Sequence, residues 1–178
     1  MSDKAQKTVV IFGSSQPGHD SPDYRLAFET GEILGKNGYI IANGGYGGTM
    51  EASARGAKSA KAATLGVTCL AFGRKGPNQW IDKEIQTSDL NERLGKLIEL
   101  GDAYVILPGG TGTLLEIAMV WELINKHFLP PRPMIFVTDF WKNLVKTIAL
   151  CDKNAKTSVE FADNPGEIVK ILRESSFS

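Results

Sequence analysis

The sequence predicts an α/β protein with a single doubly wound, Rossmann-like parallel sheet and helices on both faces. Two observations carry that expectation. Short β-branched runs alternate with segments of helical period along the 178 residues, the pattern of repeated βαβ units. The runs are also near-continuously apolar rather than alternating, as strands covered on both faces must be.

Strands are expected over Thr8–Phe12, Tyr39–Ala42, Leu65–Leu70, Ala103–Leu107 and Met134–Val137. Between them, helices are expected over Tyr24–Lys36, Met50–Lys61, Leu90–Leu100, Leu114–Lys126 and Trp141–Leu150. The second helix opens with Ala52, Ser53, Ala54, Gly56 and Ala57, small enough to pack closely on a sheet. In the third, Asp89 and Glu92 have N-cap and N3 spacing, and Leu90, Leu94 and Leu97 form the buried stripe. The segment Asn164–Glu174 opens with Asn-Pro and carries Ile168, Val169, Ile171 and Leu172, the pattern of a terminal amphipathic helix. The one long irregular stretch, Phe72–Ile81, reads as a functional loop or a disordered one.

The length fits one domain over residues 1–178, large enough to bury a core without staples. Twenty basic and twenty acidic residues cancel, so no general field draws the chain to nucleic acid or to an anionic membrane. The polar start MSDKAQK runs into an apolar segment too short for a signal peptide or a membrane span. A cytoplasmic protein is expected. Cys69 and Cys151 have no CxxC spacing and no paired His, which gives a metal site no support and suggests inert thiols. His19 and His127 share no motif, the serines near Gly13 lack triad partners, and Trp80, Trp121 and Trp141 read as core or interface residues.

Ligands of open parallel sheets bind beyond the carboxyl ends of the strands, where helix N-termini offer free N–H groups. Three such ends carry suitable loops. FGSSQPG brings Gly13, Ser14 and Ser15. NGGYGGTM brings Gly44, Gly45, Gly48 and Met50. LPGGTGTLLE brings Gly109, Gly110, Thr111, Gly112 and Thr113, whose amides and hydroxyls suit a phosphate. Neither GxGxxG nor a Walker GxxxxGK[ST] motif occurs, which argues against ordinary dinucleotide cofactors and ATP hydrolysis.

Glu116 falls inside an almost wholly apolar helical circumference, between Leu123 and Val120. A carboxylate there is expected to be buried, either as a salt-bridged or capping residue or as a catalytic group. Arg93 lies on the edge of its helix's buried stripe, where a guanidinium can reach a phosphate or pair with a carboxylate. Lys58, Lys61 and Lys96 read as solvated.

From Val9 to about Lys146 the chain resembles the LONELY GUY (LOG) family of cytokinin-activating phosphoribohydrolases, whose members were often labelled possible lysine decarboxylases. The motifs that carry the likeness are FGSS, Pro22-Asp23-Tyr24, GGYGGTM, Glu92-Arg93-Leu94 and PGGTGTLLE, the last matching PGGxGTxxE. One departure stands out: where the family commonly shows MxxRKxxM, this chain has Leu90, Leu94 and Leu97 in place of Met, Lys and Met. The resemblance implies hydrolysis of the N-glycosidic bond of an adenosine 5′-monophosphate, often N6-substituted, giving free base and ribose 5-phosphate. It implies Arg93 and Glu116 as the catalytic pair, with the three glycine loops binding substrate and no cofactor. A related branch, similar to molybdenum cofactor carriers, holds a phosphorylated ligand without cleaving it, so a carrier or sensor is the alternative. Pyridoxal phosphate chemistry lacks a motif lysine to carry it. The family usually dimerises, and the apolar girdle Leu114–Ile124 exceeds what one sheet face covers, so a homodimer is expected.

Overall fold

The computed structural model describes residues 6–152 and 159–175. The chain runs β1 (Thr8–Phe12), α1 (Pro22–Lys36), β2 (Ile40–Asn43), α2 (Thr49–Ser59), β3 (Thr64–Cys69) and β4 (Lys83–Thr87). It continues with α3 (Leu90–Leu100), β5 (Ala103–Ile106), α4 (Thr111–Asn125), β6 (Met134–Val137), α5 (Lys142–Ile148), β7 (Val159–Ala162) and α6 (Pro165–Glu174). All seven strands are parallel and form one sheet in the order β4-β3-β2-β1-β5-β6-β7. The fold class is the Rossmann-like one the alternation predicts.

Side chains leave successive strand positions toward opposite faces, and β1 shows what that does to the core. Val9 and Ile11 join Leu34, Ala52, Ala57, Ile168 and Leu172 under α1, α2 and α6. Val10 and Phe12 join Leu97, Ile98, Ile117, Val120 and Val145 under α3, α4 and α5. At roughly 25 cal/mol per Å² of apolar surface removed from water, these two layers are the main favourable term in folding. Strand order reverses between β1, which leads to β2 on one side, and β5 on the other. The crevice at that switch point faces the carboxyl ends of the strands.

Two strands escape the sequence reading, and both are edges. β4 (KEIQT) and β7 (VEFA) carry Lys83, Glu84, Gln86 and Glu160, because an edge strand keeps a solvated side and tolerates charge. No apolar run marks them. Leu70, expected in a strand, instead starts a 3-10 turn, Leu70–Phe72, and is 59% exposed. The fourth expected helix begins at Thr111 rather than Leu114, so the glycine loop feeds directly into its first turn. The fifth is shorter than expected and spans Lys142–Ile148. Helix caps follow the sequence closely. Asp89 Oδ1 accepts from the Glu92 amide at 2.9 Å, and Glu92 in turn accepts from the Ser88 amide at 2.7 Å. Asn164 caps α6 at the Glu167 amide.

Cys69 is buried and Cys151 exposed. Among the described residues, no helix is long and apolar enough to cross a membrane. The polar residues 1–5 of the N-terminal reading lie outside the described residues.

Candidate functional site

The loops after β1 and β2 are fastened to each other. Both the Thr49 amide and its hydroxyl donate to Ser14 O, at 2.9 and 3.0 Å. Gly48 makes this possible: its φ is +66°, and a Cβ there would stand 2.5 Å from Ser14 O. Asn43, wholly buried at the end of β2, locks the second loop from below. Its amide nitrogen donates to Met50 O and Ser53 Oγ, at 2.9 and 3.1 Å, and its carbonyl oxygen accepts from the Gly45 amide at 2.8 Å.

That rigid loop makes room for Arg93. A Cβ at Gly44 would lie 1.9 Å from Arg93 Nη2 and 2.6 Å from Met50 Sδ, so only glycine leaves space for the guanidinium. Arg93 is 7% exposed. Its Nε donates to Val67 O at 2.9 Å. Its Cζ lies 5.8 Å from the Tyr46 ring centroid and 5.6 Å from that of Phe72, within cation–π range. Tyr46 is itself fixed, its hydroxyl accepting from the Cys69 amide at 2.8 Å.

Glu116 arrives from the other side of the crevice, on the second turn of α4. Its Oε1 lies 3.6 Å from Arg93 Nη1, with the two side chains 12% and 8% exposed. This is an ion pair slightly longer than a direct hydrogen bond. Burial disfavours the charged carboxylate and the Arg93 cation favours it. Burial wins, pushing the Glu116 carboxyl up to about 7. A carboxyl with that value exchanges protons readily near neutral pH.

Before Glu116, α4 begins at Thr111 with Gly110 as its N-cap, which carries no side chain to cap the helix. The amides of Thr111, Gly112 and Thr113 therefore start the helix without an intrahelical acceptor and with the positive dipole end behind them. Thr111 and Gly112 are exposed and Thr113 is buried.

These groups share one cavity of about 370 Å³. Of the residues singled out from sequence, Gly13, Ser14, Ser15, Met50, Arg93, Gly110, Thr111, Gly112, Thr113 and Glu116 line it. Gly44, Gly45, Gly48 and Gly109 are not among the lining residues; the first three are buried behind the wall. Sequence reasoning missed Gln16, Tyr46, Phe72, Arg74 and Leu115 as lining residues, and placed Leu90 and Leu94 only in a helix stripe. Tyr46 lay inside the quoted GGYGGTM motif, and Phe72 and Arg74 lay on the irregular stretch read as either a functional or a disordered loop, so signals existed for all three.

Fold and site together define a Rossmann-like protein with an uncapped helix N-terminus open to a cavity and a buried arginine–glutamate pair beside it. The chain belongs to the family described as possible lysine decarboxylase, the LOG family, whose model matches residues 50–172. It is 30% identical over 138 residues to a cytokinin riboside 5′-monophosphate phosphoribohydrolase from Mycobacterium tuberculosis, covering 75% of this chain and 71% of that protein. A probable cytokinin riboside 5′-monophosphate phosphoribohydrolase of Oryza sativa is 23% identical over 180 residues, covering 96% of this chain and 78% of the relative. An uncharacterized protein of Archaeoglobus fulgidus is 38% identical over 100 residues, 56% of this chain and 65% of that protein's length. Among solved structures, the molybdenum cofactor binding protein of Rippkaea orientalis superposes with a TM-score of 0.77 at 22% identity, covering 96% of this chain and 98% of its own. The molybdenum cofactor carrier protein of Chlamydomonas reinhardtii gives 0.75 at 20% identity, covering 95% and 97%. At these identities the two structures share the fold.

Proposed function

We propose that the protein hydrolyses the N-glycosidic bond of an adenosine 5′-monophosphate, including N6-substituted forms, to free base and ribose 5-phosphate. The observation that carries this reading is the Arg93–Glu116 pair, 3.6 Å apart in the cavity that the α4 N-terminus opens into.

The phosphate sits on the amides of Gly110, Thr111, Gly112 and Thr113, with the Ser14 and Thr111 hydroxyls beside it. Held there, the ribose presents its anomeric carbon to Glu116, one helical turn further along. The bond between that carbon and the base nitrogen breaks, its electron pair leaving with the base. The ionised Glu116 carboxylate stabilises the oxocarbenium-like centre and takes a proton from the attacking water, whose oxygen bonds to the anomeric carbon. The departing base takes up a proton from solvent. Arg93 is the positioning partner, holding Glu116 toward the sugar. Gly44, Gly45, Gly48 and Gly109 shape the wall behind these groups.

The protein acts as a homodimer. Leu114, Leu115 and Met119 of α4 are 37%, 42% and 40% exposed, and this face continues from the cavity edge at Leu115. A second copy covers it. Light scattering at micromolar concentration should give twice the chain mass, and a monomer would contradict this part of the reading.

Phosphate anchoring is tested by comparing base release from adenosine 5′-monophosphate and from adenosine. A hydrolase of this design releases base from the nucleotide at a kcat/KM at least about 100-fold above that for the nucleoside. Equal rates would refute the cradle. Saturable nucleotide binding without any base release would favour a carrier or sensor.

A further inference from the structure

Opposite the phosphate cradle, the same cavity carries a second arginine that the proposed hydrolysis does not use. Arg74 lines the cavity from the segment that follows β3, with its Cζ 4.9 Å from the Tyr46 ring centroid. Arg93 has its Nε on Val67 O and its Nη1 toward Glu116. Arg74 has no such commitment: among the described residues, no carboxylate lies within ion-pair distance of it or of the adjacent Lys75.

The segment that carries Arg74 is held on both sides. Before it, the Ala71 amide donates to Ser88 O at 3.2 Å. After it, Asn78 donates to the β2 loop three times: its backbone amide to Gly45 O at 2.7 Å, and its side-chain amide to Gly45 O and Tyr46 O at 3.1 and 2.9 Å. Gly73 and Gly76, with φ of +63° and +52°, turn the chain on either side of the Arg74-Lys75 pair. One cation, stacked on an aromatic ring fixed in the site, is thus presented to the cavity from an anchored loop.

Position along the sheet says which part of a ligand they meet. The phosphate cradle follows β5 and Arg74 follows β3, with β1 and β2 between them. Three strand spacings separate those ends by about 14 Å, comparable to the length of an extended nucleoside monophosphate. With phosphate on α4 and the sugar at Glu116, the base points toward Tyr46, Phe72 and Arg74.

We propose that Arg74 recognises an acidic substituent on the base, so that the preferred ligand is a nucleoside monophosphate with a second anionic group at the end remote from its phosphate. This rests on the nucleotide reading of the site. A guanidinium pairs with a carboxylate bidentately, and an uncompensated cation in a cavity wall favours an acid over an apolar group.

The test measures dissociation constants by calorimetry in the Glu116→Gln protein, which removes turnover, with and without Arg74→Gln. The probes are adenosine 5′-monophosphate, its N6-isopentenyl form and its N6-succinyl form. The expected result is that the succinyl form binds at least about 10-fold tighter than the parent nucleotide, and that Arg74→Gln brings this ratio below about threefold. Arg74 is exposed, so its replacement leaves the core untouched. A succinyl form no tighter than the parent, or a ratio that survives Arg74→Gln, overturns the proposal while leaving the nucleotide site in place. Tightest binding by the isopentenyl form also overturns it. If none of the three nucleotides binds, the nucleotide reading itself fails and the proposal falls with it.

Discussion

The glycine loops after β2 and after β5 look alike in sequence, and they do opposite things. In the β2 loop, glycines make space for the protein's own groups: Gly44 for the Arg93 guanidinium, Gly48 for the carbonyl of Ser14. In the β5 loop, Gly110 and Gly112 have nothing within 4 Å of where a Cβ would stand. They leave helix-terminal amides open to the cavity. A glycine cluster at a strand end therefore does not by itself mean ligand contact. One loop builds the site from behind and the other faces the cavity.

Substituting one glycine in each loop gives the sharpest separation. Gly44→Ala must displace Arg93 or Met50, so base release should fall by about 100-fold and stability by about 2 kcal/mol. Steady-state kinetics and thermal melts read the two effects. Unchanged activity in this variant would mean that Arg93 does not need its present place.

The pair that the β2 loop holds in place also leaves a pH signature. The Glu116 carboxyl keeps its proton up to about pH 7 in the folded state, against an ordinary value of 4.5. Between those values the folded chain binds more protons than the unfolded one, so stability falls as pH rises through that window and levels off above it. The contribution is on the order of 3 kcal/mol. Denaturant melts from pH 4.5 to 8 should show the wild-type protein losing stability relative to Glu116→Gln, and parallel curves would contradict the burial of this carboxyl.

The smallest effect is expected in the β5 loop. Gly112→Ala meets no neighbour and sits in a helix, where alanine is favoured by up to about 1 kcal/mol. Its melting temperature should hold or rise. A methyl group in front of the phosphate amides should still raise KM by about 10-fold with little change in kcat. Loss of stability would show that this loop, too, is scaffolding.

The same contrast explains what the sequence made legible. Buried strands announce themselves as apolar runs, so β1, β2, β3, β5 and β6 were visible, whereas the strand order that puts the switch point between β1 and β5 was not. The edges β4 and β7 keep charges such as Lys83 and Glu160 and were not. Arg93 and Glu116 were legible because a charge inside an apolar helical pattern asks for a partner. That they partner each other was implied by family resemblance rather than by spacing, since 23 positions of sequence separate them. Tyr46 and Arg74 belong to turns whose direction depends on hydrogen bonds made far away, by Asn78 and Cys69. No local periodicity records those.

The central claim is that Glu116, held by Arg93, breaks a glycosidic bond. It is tested most directly by chromatographic detection of free adenine and ribose 5-phosphate from adenosine 5′-monophosphate, in the wild-type protein beside Glu116→Gln. The account predicts equimolar products from the wild type and a rate lower by about 10³-fold in the variant. Equal rates in the two proteins, or nucleotide that remains intact with both, would contradict it.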